Sequence, residues 1–179
     1  MSNAAESLLW SLDQARRQTV ALCAGIHDDQ LTAQPPGAPN HPAWTLGHLF
    51  LLDAYIADLL TPEESPRLDQ RWADAYGPAS VPRAENPDNQ TRADYLARLD
   101  TVRAAVIGAV AGLDDDGLCA PLPDASRRDE FPTVAHLLQY ALWHEAFHAG
   151  QLSAWRKAMG LASVPVAFGV MPGVSATGA

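Results

Sequence analysis

Basic residues, cysteines, glutamates and strand-like segments are all scarce in this sequence, and each shortage closes off a class of function. Only 12 Lys and Arg stand against 21 Asp and Glu, leaving a formal charge of −9. A nucleic-acid binder needs a basic face to meet phosphates, and docking on anionic lipid needs the same, so neither partner is expected. The two cysteines, Cys23 and Cys119, lie far apart and form no Cys-x-x-Cys pair. They exclude a disulfide framework and are expected as buried or partly buried free thiols. No run of about 18 apolar residues occurs, so no membrane span is expected. The opening MSNAAESLLW has no basic stretch ahead of an apolar one. A signal peptide is therefore not expected, and the cytoplasm is the expected compartment. Alternating apolar and polar segments are almost missing, which removes a sheet from the expected fold.

What is present is 47% hydrophobic residue in a chain of 179, the length of one domain spanning 1–179. Four stretches carry helical periodicity. In Ala5–His27, residues Leu8, Leu9, Leu12, Ala15, Thr19, Leu22, Cys23 and Ile26 share a side. The segment TAQPPGAPNHP then stops any helix. Pro42–Leu60 follows, with Pro42 in the first turn, His41 or Asn40 as cap, and a stripe of Leu46, Leu49, Leu52, Ile56 and Leu59/Leu60. Gln90–Leu113 repeats Tyr95, Leu96, Leu99, Val102, Val106 and Val110. Thr133–Met159 is the longest, with Thr133 able to cap its start and Gly160 its end.

Four amphipathic helices without strands predict an all-α, four-helix bundle. The link from Thr61 to Asn89 holds five prolines and is long enough to travel the length of the bundle, so the second and third helices are expected to run parallel. Within it, RLDQRWADAYG can form a helical turn or two, with Trp72 and Tyr76 over the bundle end. The tail after Gly160 is expected on the surface.

The stretch WHEAFHAGQL, Trp143–Leu152, contains His-Glu-x-x-His, the zinc-protease spacing. His144 and His148 lie about 40° apart around a helix, so both imidazoles can reach one ion. A protease site needs a third ligand downstream, and from Ala149 to Ala179 there is no His, Asp or Glu. A di-iron bundle fails differently. Of six Glu, only Glu6 and Glu145 fall in long helices, too few for a carboxylate cage.

The third ligand must come from earlier in the chain. His27 and His41 sit at helix ends, and His136 lies well around the helix from His148. His48 lies mid-helix in PAWTLGHLFLLDAY, among leucines, beside Gly47, which allows a close approach. A histidine there is costly to bury unless something satisfies it. Three imidazoles on one divalent ion leave a coordination position for water or substrate.

HPAWTLGHL and, about a hundred residues later, HEAFHAGQL resemble the DinB-like superfamily of metal-dependent enzymes. That family pairs a Trp-x-x-Gly-His-Leu type helix with a late His-x-x-x-His-x-Gly-Gln. The resemblance covers the four-helix plan over nearly the whole chain. It implies His48, His144 and His148 as metal ligands, a long crossover between helices two and three, zinc or nickel as the ion, and a homodimer. It also implies a hydrolase or a transferase using a low-molecular-weight thiol on a small-molecule substrate. The alternative is a non-catalytic metal-binding or interaction bundle.

The residues around the three histidines can be read physically. Gly150 allows close helix packing. Gln151, seven residues past His144, is placed to bond an imidazole N–H. Tyr140, one turn before His144, points towards the same cavity, and Trp44, one turn before His48, is a pocket wall or core piece. Glu145 is about 100° around from His144. It reads as an acceptor behind the ligands or as a surface residue, rather than as a base. The expected chemistry is Lewis-acid activation of a water or small thiol, in a mostly apolar pocket walled by Trp44, Tyr140 and Trp72. For the dimer, the sequence offers only Trp10, Val20 and Ala21, apolar residues off the main stripe of the first helix.

Overall fold

A computed structural model describes residues 3–61, 69–86 and 89–164. Four long helices make up the fold, with no strand among the described residues: α1 (Asn3–Leu22), α2 (Pro42–Leu60), α4 (Arg92–Ala111) and α6 (Val134–Ala158). Two short helices, α3 (Gln70–Tyr76) and α5 (Asp115–Cys119), lie in the connections.

The helix ends follow local chemistry. At α2 the His41 ring accepts the Trp44 N–H and Pro42 fills the first turn, where its missing N–H costs nothing. Thr91 and Asp94 close a capping box on α4, and Thr133 caps α6. Gly160, with φ +70°, takes the left-handed turn that ends α6. The first helix is shorter than its periodicity predicts. It stops at Leu22, because the chain turns through Gly25 at φ +74°, yet Cys23 and Ile26 still bury their side chains. Helix α5 was not expected, and Cys119 at its end is exposed rather than buried. Cys23 is buried, and burial pushes its thiol up to about 12.

Two apolar clusters fill the bundle. One joins Leu22 of α1, Leu46 and Leu49 of α2, Tyr95 and Leu99 of α4, and Leu152 and Trp155 of α6. The other joins Ala5 and Leu12, Ile56 and Leu59, Val106 and Val110, and Leu137 and Leu138 of the same four helices. The early residues of α2 and α4 thus share one end with the late residues of α1 and α6. Helices α2 and α4 run parallel, as the length of the crossover predicts, and α1 and α6 run against them. Trp72 and Tyr76 of α3 are buried against α2 and α4. Helix α2 is long and apolar enough to cross a membrane, but 72% of that window is buried inside the bundle. The expected surface course of the tail lies, from residue 165 onward, outside the described residues.

Between the clusters lies a charged layer with one member from each long helix. Arg16 donates to Glu145 at 2.7 Å and to Asp53 at 3.0 Å, and Arg103 donates to Asp53 at 2.8 Å and to Glu145 at 2.5 Å. Thr19 adds a hydroxyl to Glu145, and the remaining arginine N–H groups reach the Leu99 and Leu12 carbonyls. Two cations and two anions balance, so the desolvation each would suffer alone is offset by its neighbours.

Candidate metal centre

Helix α2 and its cap present His41, Trp44 and His48 along one stripe, and each reaches the crossover. His41 Nε2 donates to the Arg83 carbonyl at 2.8 Å. Trp44 Nε1 donates to Ser80 Oγ at 2.8 Å. His48 Nδ1 lies 2.7 Å from the Tyr76 carbonyl. A carbonyl can only accept, so His48 carries its proton on Nδ1 and keeps the Nε2 lone pair free. The crossover approaches this closely because residue 47 is glycine: a Cβ there would lie 2.4 Å from the Tyr76 ring.

The other two imidazoles come from α6. The Gln151 side-chain oxygen accepts from Asn40 Nδ2 at 2.9 Å and from His148 Nδ1 at 2.8 Å, which again leaves Nε2 free. His144 Nε2 lies 3.0 Å from His48 Nε2 and 3.1 Å from His148 Nε2. One ligand atom from each ring falls within 4.8 Å of the others. Trp44 stacks on His48 with centroids 4.5 Å apart and planes at 14°. Tyr140 packs its ring 5.3 Å from His144.

Burial, followed by the charge of the neighbouring rings, pushes His144 and His148 down to about 4. Burial lowers His48 as well, only partly offset by its bond to the Tyr76 carbonyl. The cluster is therefore neutral at pH 7, with nitrogen lone pairs facing one another. Such an arrangement fits a divalent ion. Tetrahedral ligands at about 2.05 Å from zinc would be separated by about 3.3 Å, close to the spacing here. Imidazole donors suit zinc, copper, iron and nickel alike. Among the described residues the group holds three imidazoles and no carboxylate or thiolate, one short of a closed tetrahedron.

Three sequence expectations need correction. Glu145 is neither on the surface nor behind an imidazole. The 100° step from His144 turns it towards the bundle axis, where Arg16, Arg103 and Thr19 take its oxygens. Burial works to raise its pKa, but the two guanidinium groups override this and hold the carboxyl below its ordinary value. Trp72 does not wall the histidines, because it is wedged between Phe50, Tyr76 and Tyr95 in the core. Gly150 admits no close neighbour and is exposed. The other histidines stay outside the cluster: His41 caps α2, His136 bonds Thr133, and His27 sits at a single 3₁₀ turn.

Sequence reasoning missed the Tyr76 carbonyl and Asn40. A backbone oxygen leaves no trace in residue type, and Asn40, just ahead of Pro42, reads in the sequence only as a cap. It also missed the partners of Glu145. There a signal existed, since Arg16, Asp53 and Arg103 each stand four residues after a stripe leucine: Leu12, Leu49 and Leu99.

No curated protein matches the chain. A conserved protein of Enterococcus faecalis, known from its crystal structure, has a similar fold, with a TM-score of 0.68 and 15% identity over 89% of this chain and 99% of that one. The sequence profile of the DinB superfamily matches residues 11–152, from the first helix to just past the His pair. That match spans most of the chain and takes in His48, His144 and His148, and the chain belongs to the DinB superfamily.

Proposed function

We propose that this protein is a metal-dependent enzyme, a hydrolase or a thiol-dependent transferase, acting on a small molecule at a divalent ion held by His48, His144 and His148. Membership of the superfamily and the three-histidine group fit a metal-binding role. The observation that carries the reading is the convergence of three Nε2 atoms with no fourth protein ligand among the described residues. A structural site is normally closed by the protein, whereas an open position belongs to catalysis. Zinc or nickel is the proposed ion. When bound, it supplies Lewis acidity to a water or a low-molecular-weight thiol.

The chain's own residues have separable tasks. The Tyr76 carbonyl and Gln151 fix the tautomer and aim of His48 and His148. Trp44 shields His48 on one face, and Tyr140 borders His144. Glu145 is engaged with two arginines and serves as no base; a water or thiol held at the ion would be acidified there and would release its proton to solvent. A homodimer is part of the same proposal and rests on the family resemblance.

The test is turnover. Metal-loaded protein is screened against small esters, amides and electrophiles, with and without low-molecular-weight thiols, beside the His148→Ala variant. The reading expects turnover that disappears in the variant. Equal turnover in both would show that the three-histidine site is not the catalyst.

A further inference from the structure

Two large aromatic side chains stand in solvent beside the metal centre. Trp143 is 62% exposed and Phe147 is 52% exposed, and their rings stack with centroids 5.9 Å apart and planes at 21°. Half-exposed rings on a helix leave apolar area in water, and a contiguous pair marks a contact surface more often than scatter does. Their position selects the kind of contact. Phe147 lies 5.3 Å from His148, Trp143 lies 6.4 Å from His144, and Tyr140 sits 6.1 Å from Trp143 while touching His144. At about 100° per residue, Tyr140, Phe147 and Trp143 step progressively outward from His144 on one side of α6. On its other side are His148 and then the buried Glu145. His144 is also the only partly exposed member of the three ligands, while His48 and His148 are buried. His144 is thus the ligand that solvent touches, and the aromatic rings lie beside it.

We propose that Tyr140, Trp143 and Phe147 form a platform that binds the flat apolar or aromatic body of the substrate while its polar group reaches the metal. This names a substrate class for the site and rests on the metal reading above. A flat apolar body can stack on Trp143 and Phe147 and bury both its own face and theirs. No lysine or arginine stands at residues 140–151 of α6, and the nearby Arg127 is paired with Glu130, so the platform offers shape and apolar area rather than a free cation on this helix.

The experiment compares two zinc-binding probes that differ only in their body, benzohydroxamate and acetohydroxamate, on the zinc-loaded protein. Affinities are measured for the wild type, for the Trp143→Ala/Phe147→Ala double variant, and for Trp10→Ala, which removes an equally exposed ring (64%) from the outer side of α1. Zinc content and oligomeric state are measured on each. The platform predicts about tenfold tighter binding of the aryl probe to wild type, the scale expected for stacking plus partial burial of one ring. Most of that preference is lost in the double variant, with zinc retained, and kept in Trp10→Ala. Zinc retained with an unchanged aryl preference in the double variant overturns the platform and leaves the metal reading standing. A wild-type dimer that becomes monomeric in the double variant overturns it too, because the rings would then be covered by a second copy. Failure of the wild type to bind either zinc or nickel removes both readings together.

Discussion

Residue 47 has no room for a side chain. A methyl group there would press on the root of the Tyr76 ring, which is buried and has no free end to swing away. Gly47→Ala must therefore shift the segment whose carbonyl holds His48 Nδ1. Overpacking of this kind costs about 1–3 kcal/mol. The expected outcome is a lowered denaturation midpoint together with weaker metal affinity, read by denaturant titration and by competition with a metallochromic indicator. Gln151 separates ligand support from stability, because it is only half-buried and orients His148 through one bond. Gln151→Ala is expected to weaken metal binding by about 10- to 100-fold with little change in folding stability. Gln151→Glu, which keeps an acceptor, should recover much of the affinity. At this scale the sequence displayed all three histidines, because a histidine among leucines stands out, as does a His pair one turn apart. It could not display the Tyr76 carbonyl.

Helix α6 has two working faces. His144 and His148 look towards α2, and Glu145 looks to the bundle axis. This explains why a protease-like His-Glu-x-x-His can occur here without protease geometry. The glutamate is part of the charged layer that joins α1, α2, α4 and α6. Glu145→Gln keeps the shape but leaves two buried arginines sharing Asp53. Removing one partner from a buried ionic group costs about 3–5 kcal/mol. The expected result is a large loss in unfolding free energy with metal content per folded chain preserved. A variant of unchanged stability would mean that the layer contributes nothing net. Periodicity located all four long helices because each buries a leucine or valine stripe. It passed over α5, a single turn with only Leu118 buried. It gave no role to Arg16, Asp53 or Arg103, since one helix viewed alone carries no information about a charge on another.

Parallel α2 and α4 follow from the crossover, and the same crossover supplies the bonds to His41, Trp44 and His48, so topology and site are built by one segment. Its length was legible in the sequence, but its contacts were not. The histidine cluster also ties whole-molecule stability to pH. His144 and His148 ionise near 4 in the fold, against an ordinary value of 6.5. The unfolded chain binds protons first as pH falls, so stability is present above about 6.5 and is lost as pH drops towards 4. Metal-free protein should show a falling Tm across that window, and His148→Ala a shallower fall. Saturating zinc at 100 times its Kd should add about 2.7 kcal/mol at neutral pH, and less as acid competes for the imidazoles. Light scattering addresses the dimer, with twice the chain mass expected at micromolar concentration.

If His48, His144 and His148 hold one ion between two helices, metal analysis and X-ray absorption on protein purified without chelator or histidine tag will see it. Up to one zinc or nickel per chain is expected, with imidazole nitrogens at about 2.0–2.1 Å, and that metal is lost in the His48→Ala/His148→Ala double variant. Stoichiometric metal retained by the folded double variant would rule the three-histidine site out.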